Sequence, residues 1–253
     1  MNELEVTHST CIVLLLAIVV CSAPNGSSGA ETYRPTEPNT VAPEVAAPVQ
    51  QLGSSFVYNF DNDTKGQLPD KFHGALTGKG TAGSWEVKAD SSAPSQPNVL
   101  AQTSTDKTSY RFPLAIADEG SFCDLALSVR FKPISGEVDR AAGLVWRLKD
   151  ANNYYIVRAN ALENNVVLYK IENKRTDLPL KGEGRTYGKK ASVPTAQWSE
   201  LRVVAAGNLF EVFLNSQKLY GVEDKTFTEA GKVGLWTKAD SVTYFDDLRV
   251  TAK

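Results

Sequence analysis

The sequence predicts an all-β protein, an antiparallel two-sheet sandwich of the jelly-roll kind. Apolar residues alternate with polar ones or run in short stretches, turn residues separate these stretches, and no segment has a convincing helical period. Many short strands joined by short loops favour two packed sheets over any helical architecture. The predicted strand segments are 56–60, 84–89, 123–134, 142–149, 154–161, 165–172, 198–207, 209–220, 231–239 and 242–250.

Composition allows a folded core and gives no sign of a polyanionic partner. The chain has 253 residues, of which 42% are hydrophobic and 22% charged, as in a globular domain with appendages. Its 27 basic and 29 acidic residues give a net charge of -2. Because no global positive field exists, we expect no nucleic-acid partner, and any ligand must be recognised locally.

An apolar run near the N-terminus predicts an export or anchoring segment. Residues 11–21, CIVLLLAIVVC, carry no charge, are too short to span a bilayer comfortably and are followed by small residues. Residues 1–23 are therefore predicted to be a signal peptide or a membrane anchor, although Glu3 and Glu5 stand where basic residues are usual. Lipidation of Cys21 is a weaker alternative. The protein is expected to be secreted, periplasmic or bound to the cell envelope, with membrane contact only through this segment.

The next segment predicts a tether in front of one domain. Residues 24–54 are rich in Pro, Ser, Gly and Ala and hold few large apolar groups, so they cannot offset the entropy cost of ordering. The sandwich is assigned to residues 55–253. Two of the three cysteines lie in the leading segment, so Cys123 stands alone in the domain and no internal disulfide framework is expected there.

One predicted hairpin has an unusually polar second face. If strands 142–149 and 154–161 pair with Trp146 opposite Tyr155, one face becomes a uniform apolar core face. The other face then offers forked guanidinium donors and an aromatic ring, with amides at its rim, which are the groups that sugar hydroxyls and C–H patches need. In a curved sandwich this face would be the concave one. The predicted carbohydrate-binding residues are Arg147, Asn152, Asn153, Tyr154, Arg158 and Lys170. The alternative is that the arginine stems simply cover apolar surface.

The C-terminal half resembles a known superfamily. The stretches AGKVGLWTKADSVTYFDDLRV (230–250) and WSELRVVAAGNLFEVFLNSQKLY (198–220) resemble the closing strands of concanavalin A-like lectin/glucanase domains. With AAGLVWR, their order is most similar to the 3-keto-disaccharide hydrolase-type domain and to laminin G-like modules. The resemblance covers residues 55–253 and implies the fold; it leaves open a lectin, a glycosidase, and a structural or adhesion domain.

Catalytic signals are sparse. In the related glycoside hydrolase family 16, a Glu-x-Asp strand continues to a third, catalytic carboxylate, but here Glu137 and Asp139 are followed by alanines at both candidate positions. We therefore expect these two residues in a solvated turn. His73 is the only histidine beyond the leading segment, and no nucleophile accompanies it. If the hydrolase resemblance extends to activity, the residues that could act are His73, Asp150, Glu163 and Glu172, with roles unassigned.

Three aspartates suggest a structural metal. Asp61 and Asp63 follow the first strand, and Asp246 shares a side of the last strand with buried apolar residues. An inward carboxylate needs a cation or several hydrogen-bond donors. Members of the superfamily bind calcium between such residues, so a Ca²⁺ site at Asp61, Asp63 and Asp246 is predicted, with simple turn capping as the alternative.

A long insertion is the strongest basic patch. Residues 173–190 carry six basic and two acidic side chains, and the segment could either border the ligand face or be only solvated. Taken together, the sequence predicts an exported carbohydrate-engaging sandwich that binds a glycan or oligosaccharide. The alternatives are a glycoside hydrolase of the 3-keto-disaccharide type and a structural or adhesion domain without a sugar ligand.

Overall fold

The computed structural model describes residues 55–184 and 187–253 and confirms the predicted all-β fold. Within these residues there is no helix long and apolar enough to cross a membrane. The predicted signal or anchor (1–23) and tether (24–54) lie outside the described residues.

The strands are β1 (Ser55–Tyr58), β2 (Phe72–Gly78), β3 (Trp85–Ala89), β4 (Asn98–Gln102), β5 (Arg111–Ala117), β6 (Leu125–Ser135), β7 (Ala141–Asp150), β8 (Asn153–Asn160), β9 (Asn165–Glu172), β10 (Arg175–Asp177), β11 (Lys189–Lys190), β12 (Ser199–Ala206), β13 (Leu209–Leu214), β14 (Gln217–Glu223), β15 (Lys232–Trp236) and β16 (Val242–Ala252).

The strands form two antiparallel sheets, as predicted for a jelly-roll sandwich. Sheet I has the order β14-β13-β12-β6-β16-β4-β3, and β1 pairs with β16. Sheet II has the order β10-β9-β8-β7-β15-β5-β2, and β11 pairs with β9. Strands β2, β4 and β5 were not predicted, because glycine, proline or small residues interrupt their apolar pattern. The short strands β10 and β11 were not predicted either, since they lie within the segment 173–190 that was predicted to be a long loop.

The main core lies between the two sheets. In sheet I, strands such as β12 and β13 alternate buried and half-exposed residues, so only one of their faces is packed. Trp146 of sheet II stacks on Tyr155 with ring centroids 5.5 Å apart, and Phe210 of sheet I meets Trp146 edge-on at 5.4 Å. The predicted pairs Trp146–Tyr155 and Leu144–Val157 are confirmed by the strand register.

Sheet II also carries a second core, on its outer face, which is the side turned away from sheet I. Strands β5, β7 and β8 are buried along nearly their whole lengths, because both faces of this sheet are covered. Trp236 stacks on Phe112 with centroids 5.2 Å apart at the centre of this cluster. Its other fully buried members include Leu114, Val145, Tyr154, Ile156, Val167 and Ile171.

The second core is sealed because sheet II curls over its outer face, so that the end of β2 contacts the start of β8. Strands β2 and β8 are four places apart in the sheet, yet Thr77 Oγ1 lies 2.8 Å from the Tyr154 hydroxyl oxygen and also donates to the Ala151 carbonyl. Arg175 on β10 lies over the rings of Phe112 (5.3 Å) and Tyr169 (4.8 Å). Each strand is rotated relative to its neighbour, and across many strands this right-handed twist accumulates and brings distant parts of the sheet together.

This closure corrects the prediction for Tyr154. Its ring was expected to face a ligand, but the whole residue is buried and its hydroxyl is part of the seam between β2 and β8. Burial raises the pKa of the Tyr154 hydroxyl above its usual value, so it stays protonated and can donate. The alternation of side chains along β8 was predicted correctly, but the face on which Tyr154 lies is mostly a packed interior.

Replacing Tyr154 therefore tests the second core. We expect Tyr154→Ala to destabilise the domain by about 3–5 kcal/mol, because it leaves a large buried cavity and breaks the contact with Thr77. Val57→Ala, at a residue that is 52% exposed, should change the free energy of unfolding by less than about 0.5 kcal/mol. Urea denaturation would measure both. A Tyr154→Ala protein as stable as the Val57→Ala control would show that the outer face of sheet II is not a core.

Candidate functional site

A bulge in β7 removes Arg147 from the predicted ligand face. Strand pairing shifts between Trp146 and Asp150, and Arg147 has a φ of 46°, in the left-handed region. Opposite β15, β7 holds one extra residue at this point, which inverts the alternation of side chains. Arg147 therefore points to the same side as Trp146, and its guanidinium carbon lies 5.4 Å from the Phe210 ring. The predicted outward placement of Arg147 is wrong.

Arg147 instead ties together the loops at one end of the sandwich. Its Nε donates to the carbonyl of Cys123 (2.9 Å), Nη1 to that of Phe227 (2.8 Å), and Nη2 to that of Gly207 (2.7 Å). Nη2 also donates to Asp124 Oδ1 at 3.1 Å. Because the side chain is 1% exposed and each guanidinium nitrogen has a protein acceptor, its role in this structure is to hold loops together.

Three further predicted residues lie away from the ligand face. Lys170 pairs with Tyr155 in the strand register, so it belongs to the opposite side of sheet II, where its Nζ donates to Thr226 Oγ1 at 2.6 Å. Its predicted contribution to the outer face is wrong. Asn152 lies in the β7–β8 turn and Asn153 begins β8, but the Asn152 backbone N–H and the Asn153 side-chain amide both donate to Asp150. The six predicted residues thus do not form one site.

Arg158 does lie on the outer face of sheet II, opposite Gly143, and it organises a polar cluster there. Its Nη1 donates to Asn165 Oδ1 at 2.7 Å, and Nη2 donates to Glu163 Oε2 at 2.8 Å. Nη2 also approaches the hydroxyl oxygens of Tyr169 (3.3 Å) and Tyr187 (3.2 Å), which lie 2.6 Å from each other. We call these five residues the Arg158 cluster.

A second network adjoins the Arg158 cluster through the β8–β9 turn. Asn160 Nδ2 donates to Asp139 Oδ1 at 2.7 Å, while Asn160 Oδ1 accepts the backbone N–H of Leu162 at 2.9 Å. Lys238 Nζ forms an ion pair with the other oxygen of Asp139. Asp139 is only 1% exposed, so its predicted place in a solvated turn is wrong, whereas Glu137 is exposed and pairs with Lys107.

The electrostatics of the Arg158 cluster keep opposite charges fixed next to each other. Burial of Glu163 opposes its ionisation, but the Arg158 guanidinium and the Asn165 amide outweigh this and hold the Glu163 pKa below its usual value. Burial likewise opposes the charge on Arg158, but Tyr169 and Glu163 raise the Arg158 pKa above its usual value. Glu163 is therefore an ionised acceptor at neutral pH and is poorly suited to act as a general acid.

Solvent reaches the Arg158 cluster from one side. The Glu163 side chain is 37% exposed and Tyr187 is 51% exposed, whereas Arg158 and Tyr169 are buried beneath them. Arg158 Nε is buried and has no acceptor among the described residues. The accessible surface thus combines an aromatic ring with an anionic acceptor, both held in place by the buried Arg158 guanidinium beneath them, and this pair suits a hydroxylated ligand.

The other catalytic candidates are not assembled into a site. His73 lies on β2, with Nδ1 2.5 Å from Asp118 Oδ1, and both side chains are about half exposed. No serine, cysteine or threonine hydrogen bond to His73 is found in the part of the chain that the structure describes. The site residues that sequence analysis missed as ligand contacts, Tyr187, Asn165, Tyr169 and Glu163, lie in the β8–β9 turn, on β9 or in the loop after β10.

The three predicted metal ligands are only partly brought together. Asp246 accepts the backbone N–H of Ser95 at 2.7 Å, and Asp61 accepts the Ser95 hydroxyl at 2.6 Å, so both carboxylates hold one loop. Asp63 lies elsewhere, beside Asp70 and Lys71. Over the described residues, no group of three or more His, Cys, Asp or Glu side chains is placed to hold a metal. A calcium ion between Asp61 and Asp246 stays a prediction.

Known structures share the fold. No family model and no curated protein matches the chain. Among solved structures, it is similar to the carbohydrate-binding module CBM66 from Bacillus subtilis, with 18% identity over 70% of this chain and 94% of that one and a TM-score of 0.53. It is also similar to the cellulose-induced protein Cip1, with 11% identity over 78% of this chain and 97% of that one and a TM-score of 0.54. At such identities the likeness shows the β-sandwich fold alone.

The pH dependence of stability tests the environment of Asp246. Burial raises the Asp246 pKa to about 6, despite the Ser95 and Asp247 N–H groups that favour its charge. The unfolded chain releases this proton near its ordinary pKa, so the contribution of Asp246 to stability falls as the pH rises from about 4 to 6, by about 1.4 kcal/mol per unit of pKa difference. Melting curves of the wild type and Asp246→Asn should therefore show that the melting temperature of the variant rises relative to that of the wild type as the pH increases across this range.

Calcium should reverse this loss if it binds. At pH 7, millimolar Ca²⁺ should raise the melting temperature of the wild type and not that of Asp246→Asn, because a bound cation favours the ionised carboxylate. Equal melting temperatures of the wild type with Ca²⁺ and with a chelator would remove the calcium site and leave Asp61 and Asp246 as loop-holding acceptors.

Proposed function

We propose that this protein is an exported carbohydrate-binding domain and that it binds a glycan or oligosaccharide at the Arg158 cluster. The observation that carries the proposal is the half-exposed Tyr187 ring beside the ionised Glu163 carboxylate, both held in place by the buried Arg158 guanidinium. A sugar ring offers C–H patches to an aromatic surface and hydroxyls that donate to a carboxylate, so it satisfies both exposed groups at once.

Pre-organisation supports binding at this cluster. Arg158 is fixed by Asn165 and Glu163, and Tyr169 fixes the Tyr187 hydroxyl, so little side-chain entropy remains to be lost when a ligand arrives. The description of the Bacillus subtilis neighbour as a carbohydrate-binding module agrees with this proposal. Export is supported only by the apolar segment at residues 11–21.

Hydrolysis is a weaker alternative than binding. A glycosidase needs a carboxylic acid with a raised pKa to protonate the leaving group, yet the Glu163 pKa is lowered. Asp139 is held by Lys238 and Asn160, and Glu137 is exposed beside Lys107. The resemblance to the 3-keto-disaccharide hydrolase type therefore stays a hypothesis, which a turnover assay on each bound oligosaccharide would test.

Variants of the cluster test the binding proposal. Glu163→Gln should weaken binding of an oligosaccharide found on a glycan array by about 1.5–3 kcal/mol, because it removes a charged hydrogen-bond acceptor. Tyr187→Ala should also weaken it, because the ring surface is lost. Calorimetric titration would measure affinity, and thermal melts would verify folding.

The matched control is Glu211→Gln, which changes an equivalent carboxylate that pairs with Lys218 on sheet I. This variant should bind as the wild type does. Unchanged affinity in both Glu163→Gln and Tyr187→Ala would place the glycan elsewhere, and absence of binding to every glycan would favour the structural or adhesion alternative.

A further inference from the structure

A polar groove on the outer face of sheet I has the features of a separate ligand site. The groove has a volume of about 370 Å³ and lies on the other sheet from the Arg158 cluster. It is lined by Pro94, Ser128, Val129, Arg130, Glu200, Asp247 and Arg249. A volume of this order suits a small ligand, of one or two sugar rings.

Two charged side chains in this groove have no side-chain hydrogen bond or ion pair with any residue that the structure describes. Arg130 on β6 and Glu200 on β12 are directly opposite each other in the strand register, yet they form no ion pair. Arg130 Nε is buried and has no acceptor among the described residues. Opposed charges that line the same groove without contacting each other leave a donor and an acceptor available to one ligand.

The indole of Trp198 lies next to the Arg130–Glu200 pair. Trp198 immediately precedes β12, two residues before Glu200, and its side chain lies against Lys132 and Ser92. Its Nε1 donates to Ser92 Oγ at 3.2 Å, and Lys132 Nζ lies 5.1 Å from the ring, which fixes the indole at this position. Trp198 is half-buried, so part of its surface remains accessible beside the groove.

The charges of the groove indicate the kind of ligand. Arg249 pairs with Asp247 at 2.8 Å, and Arg130 is balanced by Glu200, so the groove has no net formal charge. A phosphate or carboxylate ligand would gain from Arg130 but would face two carboxylates, whereas a polyhydroxylated ring can accept from Arg130 and donate to Glu200. We propose that this groove is a second, independent binding site for a neutral carbohydrate, with Arg130 and Glu200 as the hydrogen-bonding pair.

The site can be tested separately from the Arg158 cluster. The protein would be the full chain with Glu163→Gln and Tyr187→Ala, and the probes would be neutral tetrasaccharides of glucose, xylose, arabinose, mannose and galactose. Trp198 is half-buried, while Trp85, Trp146 and Trp236 are buried, so a sugar at the groove should change mainly the emission of Trp198. Trp198→Phe should abolish that change.

Arg130→Gln and Glu200→Gln should each weaken binding of the detected tetrasaccharide at least tenfold. Their melting temperatures should show that both variants are folded. Glu86→Gln, a carboxylate change at a Lys88 ion pair on β3 of the same sheet, should leave affinity unchanged. The proposal is overturned if no tetrasaccharide changes the Trp198 emission, or if either groove variant binds as tightly as the Glu86→Gln control. Because the Arg158 cluster is already disabled, neither result depends on that site.

Discussion

Closure of sheet II on itself is the constraint on which the rest of this structure depends. The seam between Thr77 and Tyr154, together with Arg175 over Phe112 and Tyr169, joins strands that lie far apart in the sheet order. An outer face that would otherwise be wet becomes a second apolar interior. The sheet therefore gains stability on both sides, and the polar groups of that face are concentrated in the Arg158 cluster.

The bulge at Arg147 complements this closure at the end of the sandwich. By turning the guanidinium towards the main core, it gives three loop carbonyls and the Asp124 carboxylate a hydrogen-bond donor. Arg147 and Arg158 are eleven residues apart in similar strand sequences, yet one is a structural tie and the other organises the candidate site. Backbone geometry, and not residue type, separates their roles.

The fold was predictable from the sequence because strand periodicity and turn residues are local signals. The pairing of Trp146 with Tyr155 was also predictable, since a uniform apolar face fixes the register. The bulge was not, because a single added residue leaves the apolar pattern of β7 intact. The fate of the second face depends on how far the whole sheet twists, which no short window of sequence reports.

The candidate site was predictable only in part for a related reason. Arg158 follows the strand alternation and was placed on the correct face, whereas Glu163 and Tyr187 reach it from a turn and a loop. One signal was present: the turn NALENN combines amides and a carboxylate between two strongly apolar strands, more polar groups than a tight turn needs. Tyr154 was wrongly predicted to face a ligand, because an aromatic ring is as well suited to a packed core as to a binding surface.

The unequal burial of the two sheets has a consequence for how this domain tolerates sequence change. Sheet II is packed on both faces, so almost any substitution in β5, β7 or β8 alters a close-packed interior. Sheet I presents every second residue of β12 and β13 to solvent. Sheet I therefore tolerates substitutions on its solvent side better than sheet II does, and labels are best introduced on the solvent side of β13, away from the groove at Arg130 and Glu200.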